Sequence, residues 1–262
     1  MLTSNPVAEV SAFIPPLAMQ IYVIAMVVLV VAGTILDVVH KKSAKFFFEN
    51  AEKARAKAKR RIDGGERVAI FLKTALVDVL ASGEFCNQRR RVAHLLTMYG
   101  FLLFVIFTAV LVFGFPAAAA PGWVAFLWHL GALMAVGGCL WFWFYMRVDV
   151  AAEGHRWYQL VRADLFVLSV LATTLFALVW SFLQWAGAGG LATVFFWAFV
   201  LSSLVLFGGV PWSKFAHMFF KPAAAYQKHI AEADGSMDNL PPPADKPAQF
   251  GPGIDSRPPT NY

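Results

Sequence analysis

The sequence predicts an all-α, polytopic membrane protein: a five-helix transmembrane bundle with its N-terminus outside and its C-terminus in the cytoplasm. Three observations predict it. Of the 262 residues, 59% are hydrophobic and only 15% are charged, whereas soluble domains carry about 25% charged residues. The apolar residues fall into five blocks, near 17–39, 95–115, 123–146, 165–185 and 191–212. Each is long enough to cross a ~30 Å hydrocarbon layer at 1.5 Å per residue. Finally, charge is segregated. Segment 40–93 holds 14 Lys/Arg, 147–163 holds 3 and 213–262 holds 5, which is all 22 in the chain. With five spans these segments share one face, and the positive-inside rule makes that face cytoplasmic.

Element by element, residues 1–16 form a short outer segment, and Pro15-Pro16 suits a helix start. The membrane domain runs over 17–220 and includes the basic loop 40–93. The first block is not a cleavable signal, being too long and having its positive charges after it. Within the loop, 49–61 reads as a solvated basic helix broken by Gly64-Gly65. Val68, Phe71, Leu72, Ala75, Leu76 and Val79 then recur at helical spacing, which fits a helix lying on the inner leaflet or under a partner protein. Pro116 and Pro121 bracket one outer loop and AGAGG (186–190) makes another. Gly131, Gly137 and Gly138 make span three a candidate for close packing against a helix or a flat cofactor. Residues 221–262 read as a polar, Pro-rich cytoplasmic tail with too little apolar surface to fold alone. There is no internal repeat or interrupted-helix pair, which weighs against a transporter. Cys86 and Cys139 have no CxxC spacing and are too few for an iron–sulfur cluster. No nucleic-acid partner is expected; the partner of the spans is membrane lipid.

Of six histidines, His94, His129 and His217 lie in or at spans, where ionisable residues are rare and default to functional hypotheses. His94 stands at the inner end of span two and His217 at the inner end of span five. A bis-histidine haem b needs two imidazoles on different helices at matched depth, and this pair meets that. Arg90 and Arg91 lie one turn before His94 and Lys214 one turn before His217, as cationic partners for haem propionates. Gly100 would let the ring approach. The alternative is that each histidine contacts lipid headgroups. His129, near the outer end of span three, has three readings: a quinone contact, an unusual haem ligand, or a satisfied polar residue. His40, His155 and His229 read as surface residues, although His155 could reach the inner site from its loop. Asp164 at the head of span four reads as a helix cap, with proton uptake near a quinone as the sharper option.

The residues RRRVAHLLTMYGFLLF (89–104), RADLFVLSVLATT (162–174) and WSKFAHMFFKP (212–222) resemble the γ-subunit family of respiratory nitrate reductase. They are also similar to the membrane cytochromes b of heterodisulfide-reductase-type and sulfite-reductase-associated complexes. The resemblance covers about 66–250, and the plan is most like the membrane anchors that accompany dissimilatory adenylylsulfate reductase. It implies one haem b on His94 and His217 in a multi-pass protein of the bacterial inner membrane. It further implies electron transfer between a cytoplasmic iron–sulfur/flavin reductase and quinone, as a membrane subunit rather than a stand-alone enzyme. The nitrate reductase type carries further histidines deeper in spans two and five. Here Phe104 and Phe199 stand in those neighbourhoods, which leaves only the inner haem. A haem-free docking or assembly protein for a peripheral redox complex is the alternative, motivated by the basic loop and the tail.

Overall fold

A computed structural model describes residues 1–40, 43–83, 85, 87–148, 154–213 and 217–236, all in helices, turns and loops. Among the described residues nine α-helices follow in order: α1 (Pro6–Val10), α2 (Pro16–His40), α3 (Ser43–Ala56), α4 (Gly64–Lys73), α5 (Gln88–Gly114), α6 (Gly122–Trp141), α7 (Leu165–Trp185), α8 (Gly189–Gly208) and α9 (His217–Asp234). α4 continues as a π-helical stretch, Thr74–Leu80, and α6 as another, Phe142–Met146. Five helices are long and apolar enough to cross a membrane: Pro16–His40, Gln88–Gly114, Gly122–Met146, Arg162–Trp185 and Gly189–Gly208.

Local chemistry sets the helix ends. Pro16 opens α2, where a missing N–H costs nothing. The Asn87 side chain accepts from Arg89 N at 2.9 Å and caps α5, so that helix starts before its apolar block and takes in Arg89, Arg90, Arg91 and His94. The AGAGG turn is a Schellman close: Gly187 has φ +76°, its N–H donates to Gln184 O and that of Ala188 to Leu183 O.

Packing follows from small residues, because lipid gives no hydrophobic drive for helix association. α5 and α6 meet along Ala93, Thr97, Gly100 and Phe104 on one side and Gly131, Ala135 and Gly138 on the other. A Cβ on Gly131 would lie 2.6 Å from Phe104 N, and one on Gly138 2.7 Å from Thr97 N, so both backbones need glycine there. α6 also packs on α7 and α7 on α8, while α2 lies against α8 and touches α5. α2 is the peripheral span: Leu17, Ile21, Ile24, Val27, Val31 and Ile35 all face outward. At one end of the bundle Asn5 donates to Phe115 O (2.8 Å) and Ala118 O (2.9 Å), drawing α1 over the helix ends with Val7 and Val10 buried. The half of the core on that side is aromatic. Phe104, Trp128, Trp180, Phe196 and Phe199 form one cluster, with Trp180 stacked on Phe199 at 5.6 Å.

Three expectations need correction. The fifth span stops at Gly208 rather than near 212, because Pro211 lacks an N–H and disfavours helix at Val210; a 3-10 turn, Val210–Trp212, replaces it. Gly33 of α2 accommodates this turn, since a Cβ there would sit 2.9 Å from Val210 Cβ. Gly64-Gly65 do not merely break the loop; they open α4, which Asp63 caps through Glu66 N at 2.6 Å. Residues 221–234, expected in an unfolded tail, belong to α9, which packs on α3, α4 and the π-helical stretch. Ala225 and Ala231 are buried on it. Alanines add little to a hydropathy reading, yet they let two helices of one chain approach closely. The remainder of the tail, from 237, lies outside the described residues.

Candidate functional site

The site is built at the end of the bundle opposite Asn5, where α5 emerges and the basic helices gather. The turn after Leu80 folds back on α5. Tyr99 Oη donates to Leu80 O (2.7 Å) and Arg91 Nε to Ala81 O (2.7 Å). Ser82 Oγ lies 3.0 Å from His94 Nδ1, and the Phe85 ring is tilted against the imidazole at 4.9 Å. Arg90 sets its guanidinium 5.8 Å from the Phe85 ring. His94 itself stands exposed at the bundle surface. The positive charges of Arg90 and of Lys221, on α9, are close enough to act on its ring.

The first residue of α9 is His217, one turn before Lys221. Its side chain and the whole of Lys214 lie outside the described residues. Gly100 is buried against α6: a Cβ there would meet Met134 Cβ at 2.7 Å and Gly131 O at 2.8 Å. The close approach it permits here is that of α6. His129 is fully buried, with Nδ1 2.7 Å from Ala125 O and Nε2 2.8 Å from Ser181 Oγ on α7. Both ring nitrogens are engaged, which is the arrangement of a satisfied polar residue joining α6 to α7.

Sequence reasoning missed three features at this end. Arg147 is fully buried and grips Asp164 through two nitrogens, with Nε–Oδ1 at 3.0 Å. The same guanidinium donates to Arg156 O (2.8 Å) and Gln159 O, and lies 4.4 Å over the Trp143 ring. Asp164 also accepts from Val161 N at 2.8 Å. It therefore does not cap α7 as expected: its side chain makes no cap bond to that helix and reaches back instead. Its main partner is Arg147, which ties the 154–164 loop across the ends of α6 and α7. Breaking such a pair from one side costs about 3–5 kcal/mol. Asp37, near the end of α2, is a second buried carboxylate. His229, expected as a free surface residue, has Nε2 2.7 Å from Asp78 Oδ2 and Nδ1 2.9 Å from Glu232 Oε2. Burial works against its charge, but these two carboxylates outweigh it and hold its pKa above the ordinary histidine value. Glu232, three residues on, is a local partner, but Asp78 faces His229 only after α9 has folded onto the π-helical stretch, so the sequence marks half of this arrangement.

No protein-family model matches the chain, and neither a curated protein nor a solved structure resembles it significantly.

Proposed function

We propose that this chain is a haem b membrane anchor, passing electrons between a cytoplasmic iron–sulfur/flavin reductase and the membrane quinone pool. The observation that carries the reading is the state of His94. Its Nδ1 is held by a hydroxyl, which is how a ligating histidine is oriented. Its Nε2 has no hydrogen bond among the described residues, and its flank is open. This state of His94 supports a haem with His94 as one axial ligand, and the sequence offers His217 as the other. Arg90, Arg91, Lys214 and Lys221 would supply cationic partners for propionates at the interface; Arg91 spends one of its five N–H donors on Ala81 O. When bound, the haem supplies one-electron transfer between partners.

The protein's own tasks are positional. α5 sets His94 at the edge of the apolar layer, and the start of α9 brings His217 to the same end of the bundle. The Arg147–Asp164 clasp fixes the neighbouring loop. The aromatic cluster fills the other half of the bundle, around Phe104 and Phe199, with side chains. The charge segregation supports an outer N-terminus, which puts α3, α4 and α9 on the cytoplasmic side as the landing surface for the reductase. The motif resemblance suggests an adenylylsulfate reductase in sulfur metabolism as that partner.

The test is a reduced-minus-oxidised spectrum of the detergent-purified protein, with a haem-to-protein ratio. A b-type spectrum near one haem per chain is expected. His94→Ala and His217→Ala should each abolish it while the protein still inserts. Full haem retention in either variant overturns the ligand assignment. A colourless wild-type protein from a haem-replete host favours the docking reading, for which the basic surface of α3, α4 and α9 speaks.

A further inference from the structure

The turn Leu80–Gly83 holds a strained residue in place. Ser82 has φ +51°, the only positive value at a non-glycine position among the described residues. A left-handed residue of this kind costs about 1–3 kcal/mol and persists only where its surroundings over-determine it. They do so here. Ala81 N donates to Leu76 O (3.0 Å) and Gly83 N to Val77 O (2.7 Å). Tyr99 and Arg91 of α5 pin the carbonyls of Leu80 and Ala81. A Cβ on Gly83 would lie 2.9 Å from Val77 O, a backbone atom, so any larger residue there would force the turn to shift. The result is that Ser82, 2% exposed, presents its hydroxyl to His94 Nδ1 at 3.0 Å.

We infer that Ser82 is a positioning residue for His94: its oxygen accepts the Nδ1–H, which fixes the tautomer whose lone pair is on Nε2 and sets the plane of the ring. This rests on the haem reading above, since it is as an axial ligand that the orientation matters. An imidazole without such a partner divides between two tautomers and rotates about its side-chain bonds. A hydrogen bond accepted from Nδ1–H also makes the ring a stronger donor at Nε2, which favours ferric over ferrous iron. The tilted Phe85 ring restrains the same imidazole from another side.

The decisive variant is Ser82→Gly. It removes the hydroxyl while leaving a residue at home in the left-handed region, so the turn is retained and the backbone is eased rather than strained. Ser82→Asn is the rescue, because asparagine tolerates this conformation and carries an acceptor oxygen. For Ser82→Gly, haem affinity should fall about 10–100-fold, the midpoint potential should rise, and the low-spin ferric EPR g values should shift as the ring turns. Ser82→Asn should recover part of each change. Wild-type affinity, potential and g values in Ser82→Gly overturn the inference while leaving the haem reading intact. If the wild-type protein binds no haem, the haem reading fails by itself. The 15N shifts of His94 in that preparation then decide the remaining claim: a single Nδ1–H form in wild type and a mixture in Ser82→Gly sustains it, and identical spectra end it.

Discussion

His229 shows how much a single side chain can hold. It bridges Asp78 on the π-helical stretch and Glu232 on its own helix. Its folded-state pKa is raised, so its contribution to the docking of α9 is full at pH below the unfolded value. That contribution disappears as pH climbs through the raised folded value. Backbone amides of 225–234 should therefore exchange with deuterium faster as pH rises through that window, after correction for intrinsic rates. His229→Gln should remove the pH dependence. An exchange rate that stays flat in the wild-type protein would sink the assignment. Sequence alone marked His229 as surface because only Glu232 is within helical reach of it, while Asp78 lies 151 residues away in the chain. Arg147 was hidden for a related reason: as one more basic residue after a span, it looked like topology, although its partner Asp164 is 17 residues away in the chain.

At the scale of elements, α5 and α6 carry the bundle, and two adjacent glycines separate packing from mere composition. A Cβ on Gly138 would sit 2.7 Å from Thr97 N and 2.8 Å from Ala93 O, both backbone atoms that cannot swing aside. Around Gly137 nothing lies within 4 Å. Gly138→Ala should destabilise the bundle by about 1–3 kcal/mol as the helices are forced apart. Gly137→Ala should be neutral or stabilising by up to about 1 kcal/mol, through helix propensity. Thermal unfolding of both variants in the same detergent makes the comparison, and equal losses would contradict the crossing described. The hydropathy blocks were enough to place all five spans within a few residues at most ends. They could not place the end of α8, which Pro211 decides through its missing N–H, nor the start of α5, which belongs to the Asn87 cap.

For the molecule as a whole, charge segregation and the fold agree on which segments share an end. Ser82–His94, Asp78–His229 and Lys59 N–Asp234 O all join elements at the end where the Lys/Arg gather. An Ala119→Cys variant should react with an impermeant maleimide in intact cells, and Ala56→Cys only after permeabilisation, with Cys86 replaced by Ser in both. The reverse pattern would invert the proposed orientation. What the sequence left dark at this scale was α9 and the turn at Ser82. Both depend on contacts between segments far apart in the chain: α9 on α3 and α4, and the turn on Tyr99 and Arg91 of α5. Periodicity describes one element at a time, so it finds helices but not what they lean on. The His94 region was legible as a residue type at a depth; its hydrogen-bonded support was not.

The Asn5 latch has a consequence in time. Its two acceptors, Phe115 O and Ala118 O, follow it by 110 and 113 residues. At about 5–20 residues per second of synthesis, the N-terminal segment waits roughly 5–20 s before its partners exist. The first two spans are complete in the chain before α1 can seat, whereas α6, α7 and α8 all follow Ala118, so the latch can close while three spans are still to be made.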